Sequence, residues 1–467
     1  MNKHQLLLSF IFVLHFVSFS QNNKSEAKPN VVFLLADDLG YGELGSYGQE
    51  KIKTPFLDQL SKEGMRFTNF YAGNSLCSPS RAVLMTGISS GKSSIRGNTG
   101  FHPDRGQFDR VSIKPQETTL AEMLKPAGYE TIYFGKWHLD DPYHLETWAA
   151  NRGFDYAVQG QWNRLNGKLQ IDSDYDWING LDGAIKYDHK KYSCMDEFRT
   201  TQAIDYFEKR KDNKPFFLFM SYRIPHGHEI DIRNKTMYNK NEWPEIERLH
   251  AARITMLDEQ VGRLMRYLEI TGRLENTLIV FTSDNGGQKE NGHNEHFFKS
   301  NGVNRGAKRD LYEGGIKVPL FAIWKDKIKQ GTTNNHVGSF QDIMPTLAEV
   351  AGINAPSASD GISILPTLFG NPTQKKHDYL YWELHLNMMN ESGNDKGFRQ
   401  AVRQGKWKAV RYGLKSETEL YDLSKDETES MNLSSQFPEK LKEFEKLFKN
   451  SSSYNENFKY GGNIKSR

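Results

Sequence analysis

Apolar residues in this chain gather into short, nearly continuous runs, and the runs alternate with stretches of helical periodicity. Residues 31–36 (Val-Val-Phe-Leu-Leu-Ala) form such a run and end in Asp37-Asp38. Residues 129–134 end in Gly135-Lys136-Trp137-His138-Leu139, residues 215–220 in Ser221-Tyr222-Arg223-Ile224-Pro225-His226, and residues 276–282 in Ser283-Asp284-Asn285-Gly286-Gly287. A run of strand length without polar alternation predicts a parallel strand buried on both faces. Between the runs, residues 55–63, 119–127, 196–210 and 251–271 place apolar side chains at helical spacing; in the last, Met256, Val261, Leu264, Met265 and Leu268 share a face. Residues 66–71 read as a short strand. Strands alternating with helices predict an α/β fold with a large sheet between helix layers.

Residues 141–192 break this rhythm. They are rich in Trp, Asn, Asp and Gly, and their weak periodicity predicts a long packed loop. The composition turns polar near 371–376. Beyond it, residues 379–383, 399–403, 406–410 and 419–423 read as short antiparallel strands and 438–449 as a closing helix. The expected division is 1–20 a secretory signal, 21–29 a flexible lead-in, 30–370 the main domain, and 371–467 a smaller subdomain of four strands and a helix. The signal is read from Lys3 and His4, the apolar stretch from Leu6 to Leu14, and the small residues Ser18 and Ser20 before Gln21. The stretch is short for a bilayer and His15 interrupts it, so export to the periplasm or beyond is expected, with no membrane anchor afterwards.

Charge removes one class of partner. With 61 Lys+Arg against 58 Asp+Glu and no long basic run, the chain lacks the footprint of a nucleic-acid binder. Any anion recognition must be local.

Ligands collect at the carboxyl ends of parallel strands, so the residues closing each run are the candidates for chemistry. Asp37, Asp38 and Asp284 with Asn285 supply oxygen donors and no imidazole, which describes a hard-cation site, calcium first and magnesium second. Lys136 and His138, alternating about Trp137, point the same way if the chain stays extended there. There are two cysteines, Cys77 and Cys194. In an exported chain a disulfide is one reading of the pair. Cys77 opens Cys77-Ser78-Pro79-Ser80-Arg81, in which Pro79 and Ser80 suit a helix start, where free N–H groups favour an anion, and Arg81 stands one turn beyond the cysteine.

Cys-x-Pro-Ser-Arg, with Leu84-Met85-Thr86-Gly87 behind it, resembles the signature of the type I, formylglycine-dependent sulfatases. Further motifs resemble that family in order: Gly135-Lys136-Trp137-His138, Pro225-His226, Asp284-Asn285-Gly286, Arg305-Gly306-Ala307-Lys308, Glu313-Gly314-Gly315, residues 342–347 and Asp360-Gly361. The likeness spans about residues 30–433 and departs from the pattern at Asp140, where many members carry Gly. It implies an alkaline-phosphatase-like fold, a large mixed sheet sandwiched by helices with a smaller C-terminal antiparallel-sheet subdomain. It implies a sulfuric ester hydrolase whose Cys77 is oxidised to formylglycine (3-oxoalanine) by a formylglycine-generating or anaerobic sulfatase-maturating enzyme, leaving Cys194 a lone thiol. In the family's scheme residue 77 joins Asp37, Asp38, Asp284 and Asn285 around the cation. Arg81 and Lys136 hold the sulfate and the nucleophile, His226 and Lys308 serve the leaving alcohol, and His138 takes a proton. Export and the polar, aromatic 141–192 insertion point to a sulfated glycan, for example an algal polysaccharide such as ulvan, or its oligosaccharides. The candidate sugar-contacting residues are His102, Arg105, Trp162, Asn163, His293 and His296, with Arg105 matched to a uronate. Two alternatives remain: a phosphonate or phosphate ester hydrolase of the same fold, and an inactive carbohydrate-binding protein, which requires a missing core residue where none is missing.

Overall fold

The computed structural model describes residues 27–165, 168–179, 183–211, 213–227, 237–239, 242–386 and 397–459. The expected signal peptide and most of the lead-in lie outside the described residues. The buried runs form the middle of a ten-stranded mixed sheet. From edge to edge its strands are Thr332–Asn334, Met65–Phe67, Leu320–Ile323, Thr277–Ser283, Asn30–Asp37, Phe216–Pro225, Glu130–Gly135, Tyr156–Leu165, Lys168–Ile178 and Gly183–Lys186. The four runs nominated from sequence are neighbours and mutually parallel. Asn30–Asp37 shows why its run has no polar alternation: Val31, Phe33 and Leu35 enter the core on one face, and Val32, Leu34 and Ala36 the core on the other.

Helices cover both faces. Pro55–Lys62, Met195–Lys209 and the 26-residue Glu245–Ile270 pack on one side; Cys77–Thr86, Leu120–Leu124 and Ile343–Val350 pack on the other. The C-terminal strands Leu380–His385, Phe398–Gln404, Trp407–Tyr412 and Glu419–Asp422 form an antiparallel sheet. One face of it receives Phe444 and Phe448 of helix Pro438–Ser451. The other packs Trp382, Val410 and Tyr421 on Tyr71, Leu76, Leu311 and Ile316, and Trp382 Nε1 donates to the Ala72 carbonyl at 2.9 Å. The small sheet thus buttresses the chain that leads into Cys77. The fold is the alkaline-phosphatase-like arrangement expected. No helix of the described residues is long and apolar enough to cross a membrane.

Residues 141–192 depart from expectation. Instead of one long loop, three strands continue the main sheet beyond Glu130–Gly135. A ribbon at a sheet edge has no second apolar layer to meet, so it carries no continuous apolar run. Trp148 and Trp177 meet edge to face, 5.9 Å apart, where it joins the body.

One tie between the main domain and the segment before the small sheet is sensitive to pH. His377 Nε2 lies 2.6 Å from Asp342 Oδ1, and Asp342 also accepts backbone N–H groups from Ser339 and Ile362. Burial opposes the imidazolium, but Asp342 outweighs it, and the His377 pKa is raised from 6.5. The folded state therefore keeps a proton that the unfolded chain releases. This stabilisation is complete below about pH 6.5 and is lost as pH rises through the higher folded value. Urea unfolding from about pH 6 to pH 9 is expected to show that decline in the parent and a flatter profile in His377→Gln. Parallel profiles contradict it.

Candidate active site

Four adjacent strand ends deliver the site. Asp37 closes Asn30–Asp37, Ser283 closes Thr277–Ser283 and leads to Asp284 and Asn285, Gly135 closes Glu130–Gly135 and leads to Lys136, and Pro225 leads to His226. Tight turns re-aim the chain there. Gly135 has φ 117°, and a Cβ on it would stand 1.9 Å from the Ser221 carbonyl oxygen, so only glycine fits before Lys136. Asp38 and His138 adopt left-handed φ values of 69° and 59°, the kind of local strain that collects at functional sites.

Helix Cys77–Thr86 points its first residue at this edge. Cys77 Sγ lies 3.5 Å from Asp37 Oδ1 and 3.8 Å from Asp38 Oδ1. Asn98 Oδ1 accepts the Ser78 N–H at 3.1 Å, and Ser78 Oγ donates to the His138 carbonyl at 2.7 Å, so the helix start is pinned from two sides. Arg81 falls one turn later on the same face. Its Nε donates to Asp284 Oδ2 at 2.8 Å, and Nη1 to the Lys136 carbonyl at 2.5 Å and to Ser221 Oγ at 2.6 Å. Nη2, 3.6 Å from Asp37, makes no hydrogen bond among the described residues.

The remaining cations close the ring. Lys136 Nζ grips Asp37 at 2.7 and 2.9 Å. Lys308 Nζ donates to Asp38 Oδ2 at 2.7 Å, lies 3.1 Å from Glu290 Oε1, and stands 3.3 Å from His226 Nε2, which is itself 3.6 Å from Asp38. Burial pushes the Asp37 and Asp38 carboxyls up, but Lys136 and Lys308 outweigh it and hold both below the usual range. Burial, with Asp37 alongside, lifts Asp284 to about 7 against the pull of Arg81. Burial also lowers His226 to about 4 and His138 well below its usual value, so both imidazoles are neutral at pH 7. The Cys77 thiol is pushed up by the same desolvation, which makes it a poor nucleophile as a thiol.

A cation fits here. Asp37, Asp38, Cys77 and Asp284 offer ligand atoms within 4.8 Å of one another. Asn285 turns its Nδ2 to Asp38 at 2.8 Å, while its buried Oδ1 has no partner among the described residues. An orphaned amide oxygen beside three buried carboxylates is a hard-oxygen donor set.

Some sequence expectations fail. His138 does not continue an extended chain from Lys136: its φ is left-handed, although Lys136, Arg81 and Asp37 still act on its ring, and its buried Nδ1 finds no partner among the described residues. His293 is no sugar contact. It is 4% exposed, holds Glu247 through Nδ1 at 2.7 Å, and stacks on His250 at 3.8 Å, which in turn binds Glu43 at 2.5 Å. Their ring planes are 20° from parallel, and with Glu43 their ligand atoms lie within 4.8 Å of one another in the interior. His102 and Arg105 sit on the hairpin of Gly100–His102 and Gln107–Asp109. His102 Nε2 is taken by the Arg110 carbonyl, and Arg105 is already paired with Asp141 at 2.5 Å. His296 is exposed, and it lines a separate small cavity with Lys299. Trp162 and Asn163 lie on strand Tyr156–Leu165, opposite Ile171 and Gln170; their side chains lie outside the described residues. Neither cysteine forms a disulfide: Cys194 is buried, and its sulfur accepts the Glu197 N–H at a helix start.

Sequence reasoning missed Glu290, Ser221 and Asn98. Glu290 links Lys308 to Arg309, the latter at 2.6 Å, and comes within 3.9 Å of His226. Its position in a polar loop gave no sign of this.

A ring of cations and carboxylates around the N-terminus of a helix is equipment for cleaving an ester of a tetrahedral oxyanion. Comparison with known proteins narrows the class. Residues 29–353 match the family model described as Sulfatase, and the chain belongs to that family of sulfuric ester hydrolases. Residues 306–453 match the model for the C-terminal part of N-sulphoglucosamine sulphohydrolase. The N-acetylgalactosamine-6-sulfatase of Sus scrofa is 30% identical over 383 residues, covering 76% of this chain and 68% of its own. Arylsulfatase A of Homo sapiens is 29% identical over 457 residues, covering 87% and 83%. The crystal structure of Ps i-CgsB superposes with a TM-score of 0.75 at 26% identity, covering 90% of this chain and 92% of its own. The phosphonate monoester hydrolase of Agrobacterium radiobacter shares the fold, with a TM-score of 0.67 at 20% identity over 90% of this chain and 94% of its own.

Proposed function

We propose that this sulfatase removes sulfate from a sulfated glycan, using formylglycine at position 77 and a calcium ion. The observation that carries the reading is the convergence of Cys77, at its helix start, on Asp37 and Asp38 within a ring of three cations. A hydrated aldehyde at residue 77 supplies an oxygen nucleophile, and a cation held by Asp37, Asp38, Asp284 and Asn285 offsets sulfate charge. The chain's own residues do the rest. Arg81 offers Nη2 to a sulfate oxygen and Lys136 holds the nucleophile's side of the pocket. Lys308, kept an ammonium by Asp38 and Glu290, stands with His226 where the alcohol leaves and brings the proton. Neutral His138 accepts a proton at Nδ1.

The glycan rests on relatives. One acts on N-acetylgalactosamine 6-sulfate by name, and Ps i-CgsB has been crystallised with k-i-k-neocarrahexaose. Export and oxidation of Cys77 by a maturating enzyme belong to the same proposal.

The test is sulfate release from a panel of algal and animal polysaccharides and their oligosaccharides, beside 4-nitrophenyl sulfate and 4-nitrophenyl phosphate. The expected result is turnover of at least one glycan, with aryl sulfate cleaved faster than aryl phosphate. Chelation is expected to lower both activity and Tm, because an ion bound by the folded site and not by the unfolded chain stabilises the fold, and calcium is expected to restore both better than magnesium. Faster phosphate cleavage overturns the sulfate assignment, and indifference to chelation overturns the cation.

A further inference from the structure

A second cavity lies away from residue 77. A cleft of about 790 Å³ opens between the edge strands of the main sheet and the C-terminal sheet, and none of the clamp residues line it. Its wall is polar, with amides such as Asn334 and Gln374, and two cations are built into it.

Lys317 is 7% exposed. Its Nζ stands 5.0 Å from the centre of the Tyr41 ring, and no hydrogen bond or ion pair holds it among the described residues. Arg403 is 9% exposed; it gives Nη1 to the Tyr71 hydroxyl and Nε to the Gly405 carbonyl, while Nη2 donates to none of the described residues. Glu313 lies among them and acts on both, 4.0 Å from Arg403 Nη1, but it is shared with Lys408, which holds it at 2.9 Å. The other carboxyl of that cluster, Glu429, is lifted by burial to about 7. Lys376 adds an exposed positive charge at the rim. A buried ammonium that faces a ring and only a shared carboxylate, with no hydrogen bond or ion pair of its own among the described residues, favours a ligand that supplies an anion.

We propose that this cleft binds a second anionic group, a sulfate or a carboxylate, of the glycan whose ester is cleaved at residue 77. Lys317 Nζ and Arg403 Nη2 donate to its oxygens, and the wall amides meet sugar hydroxyls. The two sites share a loop, since Asn304 lines the cleft four residues before Lys308. The inference rests on the glycan reading above.

Lys317→Met and Lys376→Gln, the second at an exposed position that leaves packing untouched, are compared with the parent on 4-nitrophenyl sulfate and on two hexasaccharides cut by the parent. One hexasaccharide carries further sulfates and the other carries uronates. Lys317→Met is expected to raise KM for a hexasaccharide ~10-fold with kcat unchanged, and Lys376→Gln less, while aryl sulfate kinetics stay within about twofold. Whichever chain shows the larger change identifies the anion. Unchanged KM on both chains overturns the cleft and leaves the glycan reading standing. An equal loss on aryl sulfate makes Lys317 a support of the Tyr41 loop and overturns it too. A parent that cuts no glycan removes the reading on which both rest.

Discussion

Cys77→Ala is expected to lower kcat for sulfate esters by ~10⁴-fold or more while leaving the fold intact. In the proposed scheme residue 77 carries the covalent bond to sulfur. The side chain is buried with its sulfur 3.5 Å from Asp37, so truncation removes the nucleophile without adding bulk. The clamp of Arg81, Lys136 and Lys308 remains, and sulfate binding is expected to survive. Cys77→Ser separates chemistry from shape: serine has the branching of cysteine with a smaller hydroxyl in place of the thiol, and while it stays a hydroxyl it is expected to be nearly as inactive as alanine. Initial rates on 4-nitrophenyl sulfate, with circular dichroism for folding, check both. A variant of parental activity whose residue 77 is still an unoxidised serine contradicts the assignment.

Lys308→Ala is expected to cost ~10²–10³ in kcat, and more for poor leaving groups than for good ones. The ammonium touches Asp38, Glu290 and His226; burial opposes its charge, but Asp38 outweighs burial and keeps it protonated. It therefore carries a proton where the neutral imidazole of His226 does not. An alcohol leaving as alkoxide needs that proton; 4-nitrophenolate hardly does. The loss is accordingly expected to be steeper on a sugar sulfate than on 4-nitrophenyl sulfate. An equal loss on both moves Lys308 from the leaving group to the sulfate oxygens. Losing the cation also leaves Asp38 and Glu290 short of a partner, so a lower Tm is expected alongside.

What the sequence reveals of this site follows from what each residue is attached to. Asp37, Asp38, Lys136, Asp284 and Asn285 each close or follow a buried apolar run, and a run of that kind has one way to lie in a parallel sheet, so its carboxyl end is predictable. Arg81 is legible because one helical turn separates it from Cys77. Glu290 is not, because its place beside Lys308 and His226 depends on how a polar loop returns over the sheet. His138 escapes for a local reason: a left-handed φ at a non-glycine residue has no sequence mark, and it undoes the alternation that Lys136 and His138 otherwise promise. His293 escapes for the opposite one. It stands in a polar, His- and Asn-rich segment that reads as exposed, yet Glu247 and His250 take its ring inside. The three strands within 141–192 are hidden because a ribbon at a sheet edge needs no unbroken apolar run. The C-terminal sheet is visible as strands, but its buttressing of Tyr71 and Leu76 ahead of Cys77 emerges only from the packing.

In the proposed chemistry residue 77 works as an aldehyde hydrate and not as a thiol. Mass spectrometry of the proteolytic peptide spanning residue 77, taken from protein whose specific activity has been measured in the same preparation, tests it most directly. The account predicts a peptide in which the cysteine sulfur has been replaced by oxygen with loss of two hydrogens, and a fraction so modified that tracks activity from one preparation to the next. A fully active preparation in which residue 77 is an intact cysteine contradicts it.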